Sequence, residues 1–290
     1  MSGFLHQLLS GLATGGIYAS IALALVMIYQ ATHHINFAQG NMAMFSTYIA
    51  WQLFTWGVPY WAAFVITLAI SFLAGAIIER VLVRPVEKSS ILAAVMVFIG
   101  LLLVFNSLAG AFFDYQLKQV ASPFPDNAWY GGTDMSAHEV GTIFITFIVL
   151  ILVFAFFRFT PMGLAMRAAA QNPVSSRLVG VRVSSMLAIG WGLAGAIGAV
   201  AGIMAAPTVG LEPNMMNGVL LYGFAGALLG GIDNAWGAVI GGFLIGVMEN
   251  LAGAYVVGSS LKLSVALVVV VLVLILRPSG LFGRVLTTRV

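Results

Sequence analysis

This chain has no cysteine among its 290 residues and very little charge, with 7% of positions taken by Asp, Glu, Lys or Arg. The first absence rules out disulfides, thiol catalysis and zinc–cysteine clusters. The second bears on the whole surface: a water-facing globular domain carries about 25% charged residues, so the exterior here has to meet lipid. Histidine is scarce too. His33 and His34 are adjacent, His6 and His138 stand alone, and none has the spacing of a metal pair such as HExxH; they read as solvated or interfacial. Also missing are a GxxxxGK[ST] phosphate loop, a nucleophile elbow, a Ser-His-Asp set and carboxylates paired at helical spacing. No catalytic residue, metal or cofactor is therefore expected in this chain; if ATP drives it, another chain hydrolyses the ATP. No nucleic-acid partner is expected either. The start Met-Ser-Gly-Phe-Leu-His lacks the basic region and cleavage site of a secretory signal, so the first apolar stretch is expected to remain as a span.

What the chain has is apolar residues, at 61%. Segments long enough to approach a bilayer crossing lie near 8–30, 37–56, 58–78, 91–113, 140–157, 184–206, 217–232, 235–257 and 261–276. Backbone in lipid must satisfy its own hydrogen bonds, and the alternation of barrel strands is absent, so helices are expected. The expected fold is all-α: a polytopic transmembrane helix bundle of about eight or nine spans. Segments 37–56 and 217–232 are short, Gly-rich or interrupted, which leaves open whether they cross or re-enter. The polar stretches reach about 25 residues, too short for a core of their own, so 1–290 reads as one transmembrane domain.

The few charges are sorted by region. Arg80, Arg84 and Lys88 lie between the third and fourth segments; Arg158, Arg167, Arg177 and Arg182 between the fifth and sixth; Arg277, Arg284 and Arg289 in the tail. The loop 114–139 instead carries Asp114, Asp126, Asp134 and Glu139 against Lys118, with Pro123, Pro125 and Gly131-Gly132 as turn residues. By the positive-inside rule the basic regions are cytoplasmic and this loop is periplasmic. The count then puts the N-terminus outside and the C-terminus inside.

Small residues recur at four-residue spacing: Gly190, Ala194, Gly198 and Gly202, then Gly226 with Gly230, Gly237 with Gly241, and Gly242 with Gly246. Such faces let helices approach closely in lipid, either inside the subunit or between subunits. Two polar breaks share the pattern Ile-[Asn/Asp]-x-Ala-x-Gly. One holds Asn36, Phe37, Gln39 and Asn41; the other holds Asp233 and Asn234. Paired breaks of this kind serve transporters as half-helix ends at a pathway, while Asn36 and Asp233 are also good N-cap residues. In a pathway the uncharged amides would bond a polar solute and Phe37, Met42 and Met44 would give apolar wall. Glu249, beside Asn250 deep in the eighth segment, and Asn106 in the fourth are isolated polar groups at membrane depth, where a charge needs a cavity or a partner. Glu249 either lines the pathway or is structural; Lys262 reaches it only if the intervening loop folds back.

The basic loop 158–183 carries signals for short surface helices. Ala168, Ala169 and Ala170 are strong helix formers, Asn172 with Pro173 makes an N-cap and first turn, and Gly180 sits at a left-handed helix end. Such a capped helix either docks on a cytoplasmic partner or simply connects.

Gly11-Leu-Ala-Thr-Gly-Gly-Ile-Tyr-Ala-Ser, followed by Ile35-Asn-Phe-Ala-Gln-Gly, resembles the Liv-type branched-chain amino acid ABC permeases, whose usual form of the second motif has histidine where Gln39 stands. Gly163-Leu-Ala-Met-Arg-Ala-Ala-Ala-Gln-Asn-Pro resembles that family's coupling segment. Ala227-Leu-Leu-Gly-Gly-Ile-Asp-Asn-Ala-Trp-Gly and Gly246-Val-Met-Glu-Asn match its Gly-rich and Gly-x-x-Glu stretches. The resemblance implies a permease subunit in a bacterial inner membrane, with a second related permease, two ATP-binding subunits and a periplasmic binding protein. It also implies that Arg167, Ala168, Ala170, Gln171, Asn172, Pro173, Arg177 and Gly180 form the segment that couples to the ATPases. Relatives of this architecture move leucine-like amino acids, urea, short amides or aromatic acids. The competing reading is a secondary transporter or channel working alone; it calls for ionisable residues deep in several helices, and Glu249 is one.

Overall fold

The computed structural model describes residues 2–32, 34–86, 90–124 and 135–283. His33, Lys88, Pro125, Asp126, Gly131, Gly132, Asp134, Arg284 and Arg289 of the sequence reading lie outside the described residues. The chain is all-helical: α1 (Ser2–Thr32), α2 (Gln39–Thr55), α3 (Tyr60–Ile78), which continues through a π-helical turn (Glu79–Val83) into α4 (Arg84–Val86), then α5 (Ile91–Phe113), α6 (Ala137–Phe159), α7 (Pro161–Gln171), α8 (Pro173–Leu178), α9 (Val183–Val209), α10 (Met216–Gly230), α11 (Ala235–Tyr255) and α12 (Lys262–Leu276). Among the described residues there is no strand, only an isolated bridge between Lys118 and Leu211.

Each of the nine apolar segments holds one helix, and among the described residues 6 of these helices are long and apolar enough to cross a membrane: α1, the run from α3 through α4, α5, α6, α9 and α11. Helices α10 and α12 have 15 residues each, and α2 has 17. At a rise of 1.5 Å per residue they extend roughly 22–26 Å, short of the roughly 30 Å of a hydrocarbon core.

Burial sorts the helices into an inner and an outer set. The most apolar stretch of α1 is 89% buried and that of α9 72%, against 22% for α5 and for α6. The inner helices are those with the glycine faces, because lipid gives no hydrophobic drive for association and close van der Waals contact has to supply it. Gly11 and Gly15 of α1 lie against the backbone of α11, where added Cβ atoms would stand 2.8 Å from Val247 and 3.0 Å from Phe243. On α9, Cβ atoms added at Gly192 and Gly195 would stand 2.8 and 2.6 Å from the carbonyl oxygens of Phe72 and Ser71 in α3, and one added at Gly202 would stand 2.7 Å from that of Ala43 in α2. Gly226 of α10 stands against Gly242 of α11, as Gly230 does against Gly237. These small-residue faces are therefore spent inside the subunit.

The loops gather at two ends. At one, Arg84 donates to the carbonyl of Ser184, Gln30 donates to that of Asp233, and the tail binds the α10–α11 break through Leu281 N–H to Leu229 and Phe282 N–H to Gly230. The described parts of all three basic regions lie at this end. At the other, Lys118 pairs with Leu211, His138 Nε2 lies 2.9 Å from the carbonyl of Met204, and Glu139 bonds both Ser10 near the start of α1 and its own capping partner Ser136. Asp114 ends α5 in the left-handed region, with φ of 63°. The backbone N–H of Gln116 and the ammonium of Lys118 hold its carboxyl below the usual carboxylate range.

Candidate functional site

The first break, between α1 and α2, packs its amides inward. Asn36 and Gln39 are fully buried. Asn36 Oδ1 accepts the Ala38 N–H at 3.0 Å, a turn that steers the chain into α2. Gln39 Nε2 donates to the carbonyl of Ala194 at 2.9 Å and lies over Gly198, where a Cβ would come within 2.6 Å of it. Asn36 thus shapes the entry to α2, and Gln39 holds α2 on α9. Asn41 is buried as well, but its Oδ1 has no hydrogen-bond partner. Phe37 is 42% exposed and is the residue of this break that faces outward.

The second break is a capped turn. Asn234 has extended backbone and its Oδ1 accepts from the N–H groups of Trp236 and Gly237; its Nδ2 donates to the carbonyl of Phe282 in the tail. The cap is thus Asn234 rather than its neighbour Asp233, which is exposed and whose carbonyl takes the bond from Gln30. Gly231, at φ +112°, makes the reversal that a side chain would resist.

Glu249 has partners on every side. Tyr18 Oη donates to its Oε2 at 2.7 Å, Tyr222, stacked on Tyr18 at 4.8 Å, also bonds it, and the loop after α11 does fold back to bring Lys262 Nζ within 3.9 Å. Lys262 donates to Asn250 Oδ1 at 3.0 Å, and Asn250 Nδ2 donates to Thr14. Four helices, α1, α10, α11 and α12, meet in this network. Asn106 of α5 holds Pro213 and Asn214 in the α9–α10 connection, at 3.1 Å each. Tyr18 and Tyr222 were not singled out in the sequence, since a tyrosine inside an apolar run gives no local sign of its partner.

The loop 158–183 forms the two capped helices that its residues spell. Thr160 caps α7 by accepting from the Gly163 N–H, Asn172 caps α8 by accepting from the Ser175 N–H, Pro173 opens α8, and Gly180 has φ +87°. Arg167, Gln171, Asn172, Pro173 and Arg177 are exposed, while Ala168 and Ala170 are half-buried. Ala170, with Arg167 and Met166, lines a cavity of about 40 Å³ against Met27, Gln30 and Leu187. The outward surface of α8 is apolar: Val174 is 69% exposed, Leu178 83% and Val179 79%, beside the Arg177 charge.

An all-helical chain with several membrane-crossing helices, polar breaks between short helices and a capped surface helix outside them describes a multi-pass membrane permease. A family model described as "Branched-chain amino acid transport system / permease component" matches residues 7–276, and the chain belongs to that family. It is 31% identical to the high-affinity branched-chain amino acid transport system permease protein BraD of Pseudomonas aeruginosa, over 97% of this chain and 96% of that protein. To the corresponding permease protein LivH of Escherichia coli K12 it is 29% identical, with the same coverage of each. The solved structure of PsaBC from Streptococcus pneumoniae in complex with Fab superposes on 95% of this chain and 92% of that one, with a TM-score of 0.52 at 10% identity, a likeness of fold.

Proposed function

We propose that this chain is the translocating permease subunit of an ATP-binding cassette importer for branched-chain amino acids in a bacterial inner membrane. A second related permease completes the pathway, two ATP-binding subunits use the ATP, and a periplasmic binding protein delivers the solute; the chain itself needs no cofactor. The short α2, α10 and α12 join the six long helices to give nine passages, or eight if one of the short helices re-enters, with the N-terminus outside and 80–90, 158–183 and the tail in the cytoplasm. Among the candidate pathway residues, Asn41 and the outward Phe37 remain nearest to a route for solute, whereas Asn36 shapes the entry to α2 and Gln39, Asn234 and Glu249 have bonds that tie separate elements together.

The observation that carries this reading is the outer face of α8. Val174, Leu178 and Val179 form an apolar ridge beside Arg177, Arg182 and Gly180, outside the membrane-length helices. An amphipathic helix presenting such a face fits a groove on a partner protein, and membership of a transport-system permease family supports an ATP-binding subunit as that partner. The test is co-expression with candidate ATP-binding and second-permease chains from the same genome, purification on a tag carried by this chain, and reconstitution in liposomes with a candidate binding protein. ATP-dependent leucine uptake is the expected result. A chain that purifies alone and moves leucine without ATP would overturn the proposal.

A further inference from the structure

Pro85 stands where α3 would otherwise run on. Its ring offers no N–H and crowds the carbonyl four residues back, that of Val81. The helix accommodates this with the π-helical turn Glu79–Val83, at whose end the Arg84 N–H donates to the Glu79 carbonyl. Residues five apart diverge on an α-helix; in a turn whose bonds run from i to i+5 they come into register. The Arg84 guanidinium accordingly takes the Glu79 carboxylate in a fork, Nε to Oε1 at 3.1 Å and Nη2 to Oε2 at 2.7 Å. Glu79 is 1% exposed, so its charge depends on this partner.

The same Nη2 donates to the carbonyl of Ser184 at 2.9 Å, the second residue of α9. This is where the loop carrying α8 re-enters the bundle. Between Leu178 and Ser184 the chain passes Gly180, which has φ +87° and open space where a side chain would be, and this connection is held by short-range bonds of the helix end, Gly180 N–H to the Arg177 carbonyl and Val181 N–H to that of Ser176. Beyond Ser184, by contrast, α9 is seated firmly: Gly192 on Phe72 and Gly195 on Ser71 of α3, Gly202 on Ala43 of α2.

We propose that Arg84 and Glu79 form a transmission clamp, which rests on the functional reading above. They fasten the inner end of α3 to the first turn of α9, so that a displacement of α8 moves α3, α9 and the attached α2 together instead of being absorbed at Gly180. Neither residue touches solute or ATP; both are positioning residues.

The clamp is tested by the number of ATP molecules hydrolysed per leucine imported in reconstituted liposomes. Arg84→Gln is expected to raise that ratio about tenfold or more, with the ATP-binding subunits still co-purifying; losing one partner of a buried ion pair is an effect of that order. Glu79→Gln should raise it likewise. Arg84→Lys keeps the charge without the fork and should fall between. A merely structural role lowers hydrolysis and uptake in proportion, leaving the ratio as in the unsubstituted complex, and that result overturns the clamp. Where Arg84→Gln yields no assembled complex, Arg84→Lys carries the test, and an unchanged ratio in it is equally fatal. Failure of the functional reading shows elsewhere, as absent ATP-dependent uptake by the unsubstituted complex.

Discussion

Gln39 and Asn41 sit two residues apart at the start of α2, and the helix turns them to different neighbours. Gln39 bonds the Ala194 carbonyl and lies over Gly198; Asn41 Oδ1 is buried without a partner. Removing a buried hydrogen bond costs about 1–3 kcal/mol, so Gln39→Leu is expected to lower the melting temperature of the detergent-purified protein and its yield. Asn41→Leu forfeits no bond of Oδ1, and is expected to leave the melting temperature near that of the parent while leucine uptake falls several-fold. Normal uptake by Asn41→Leu would take Asn41 off the route. The sequence groups these amides correctly as a polar break. Which of them is spent on α9 depends on how α2 crosses α9, a tertiary relation with no local signature. Glu249 is similar: its pairing with Lys262 was legible only on condition that the loop turns back, and Tyr18 comes from the far end of the chain.

At the scale of the helices, legibility follows locality. Helix α8 stands where Asn172-Pro173 and Gly180 put its ends, because caps act within a turn, while the Thr160 cap that opens α7 is a signal of the same kind that was not singled out in the sequence. The end of α3 was harder, since the apolar run stops near Ile78 while the helix continues through a π-helical turn to Val86. Docking is tested most cleanly on α8, since Ala170 faces a cavity inside the subunit and a bulky group there would disturb α1 and α9 as well. Leu178→Asp puts a charge on the exposed ridge and touches no packed neighbour in this subunit. Desolvating that charge at an interface costs about 2 kcal/mol or more, enough to weaken binding of the ATP-binding subunits at least tenfold. Pull-down from detergent extracts reads this directly, and undiminished recovery of those subunits would remove α8 from the interface.

For the whole molecule, the sorting of basic and acidic loops in the sequence agrees with the geometry: Arg84, Arg167 and Arg277 belong to one end and Asp114, Lys118 and Glu139 to the other. The lack of any native cysteine makes the membrane sidedness easy to measure. Gln119→Cys and Arg177→Cys both replace exposed residues. In intact spheroplasts an impermeant maleimide is expected to label the first and not the second; the reverse pattern would invert the topology. What composition and hydropathy could not convey is the ranking of the helices. Every apolar segment looks alike as a run of hydrophobic letters, yet α1 is almost enclosed and α5 is mostly bare, because glycine spacing decides which helices come close enough to form a centre.

That enclosure has a consequence in time. The principal neighbour of α1 is α11, whose Gly242 and Gly246 receive Ala19 and Gly15 in that order, and whose Glu249 accepts from Tyr18. About 200 residues separate the two helices, so at a synthesis rate of roughly 5–20 residues per second the first helix waits on the order of 10–40 s for the surface it is shaped to meet. The innermost element of the subunit therefore leaves the ribosome well ahead of the partner it needs and is among the last to reach its final place.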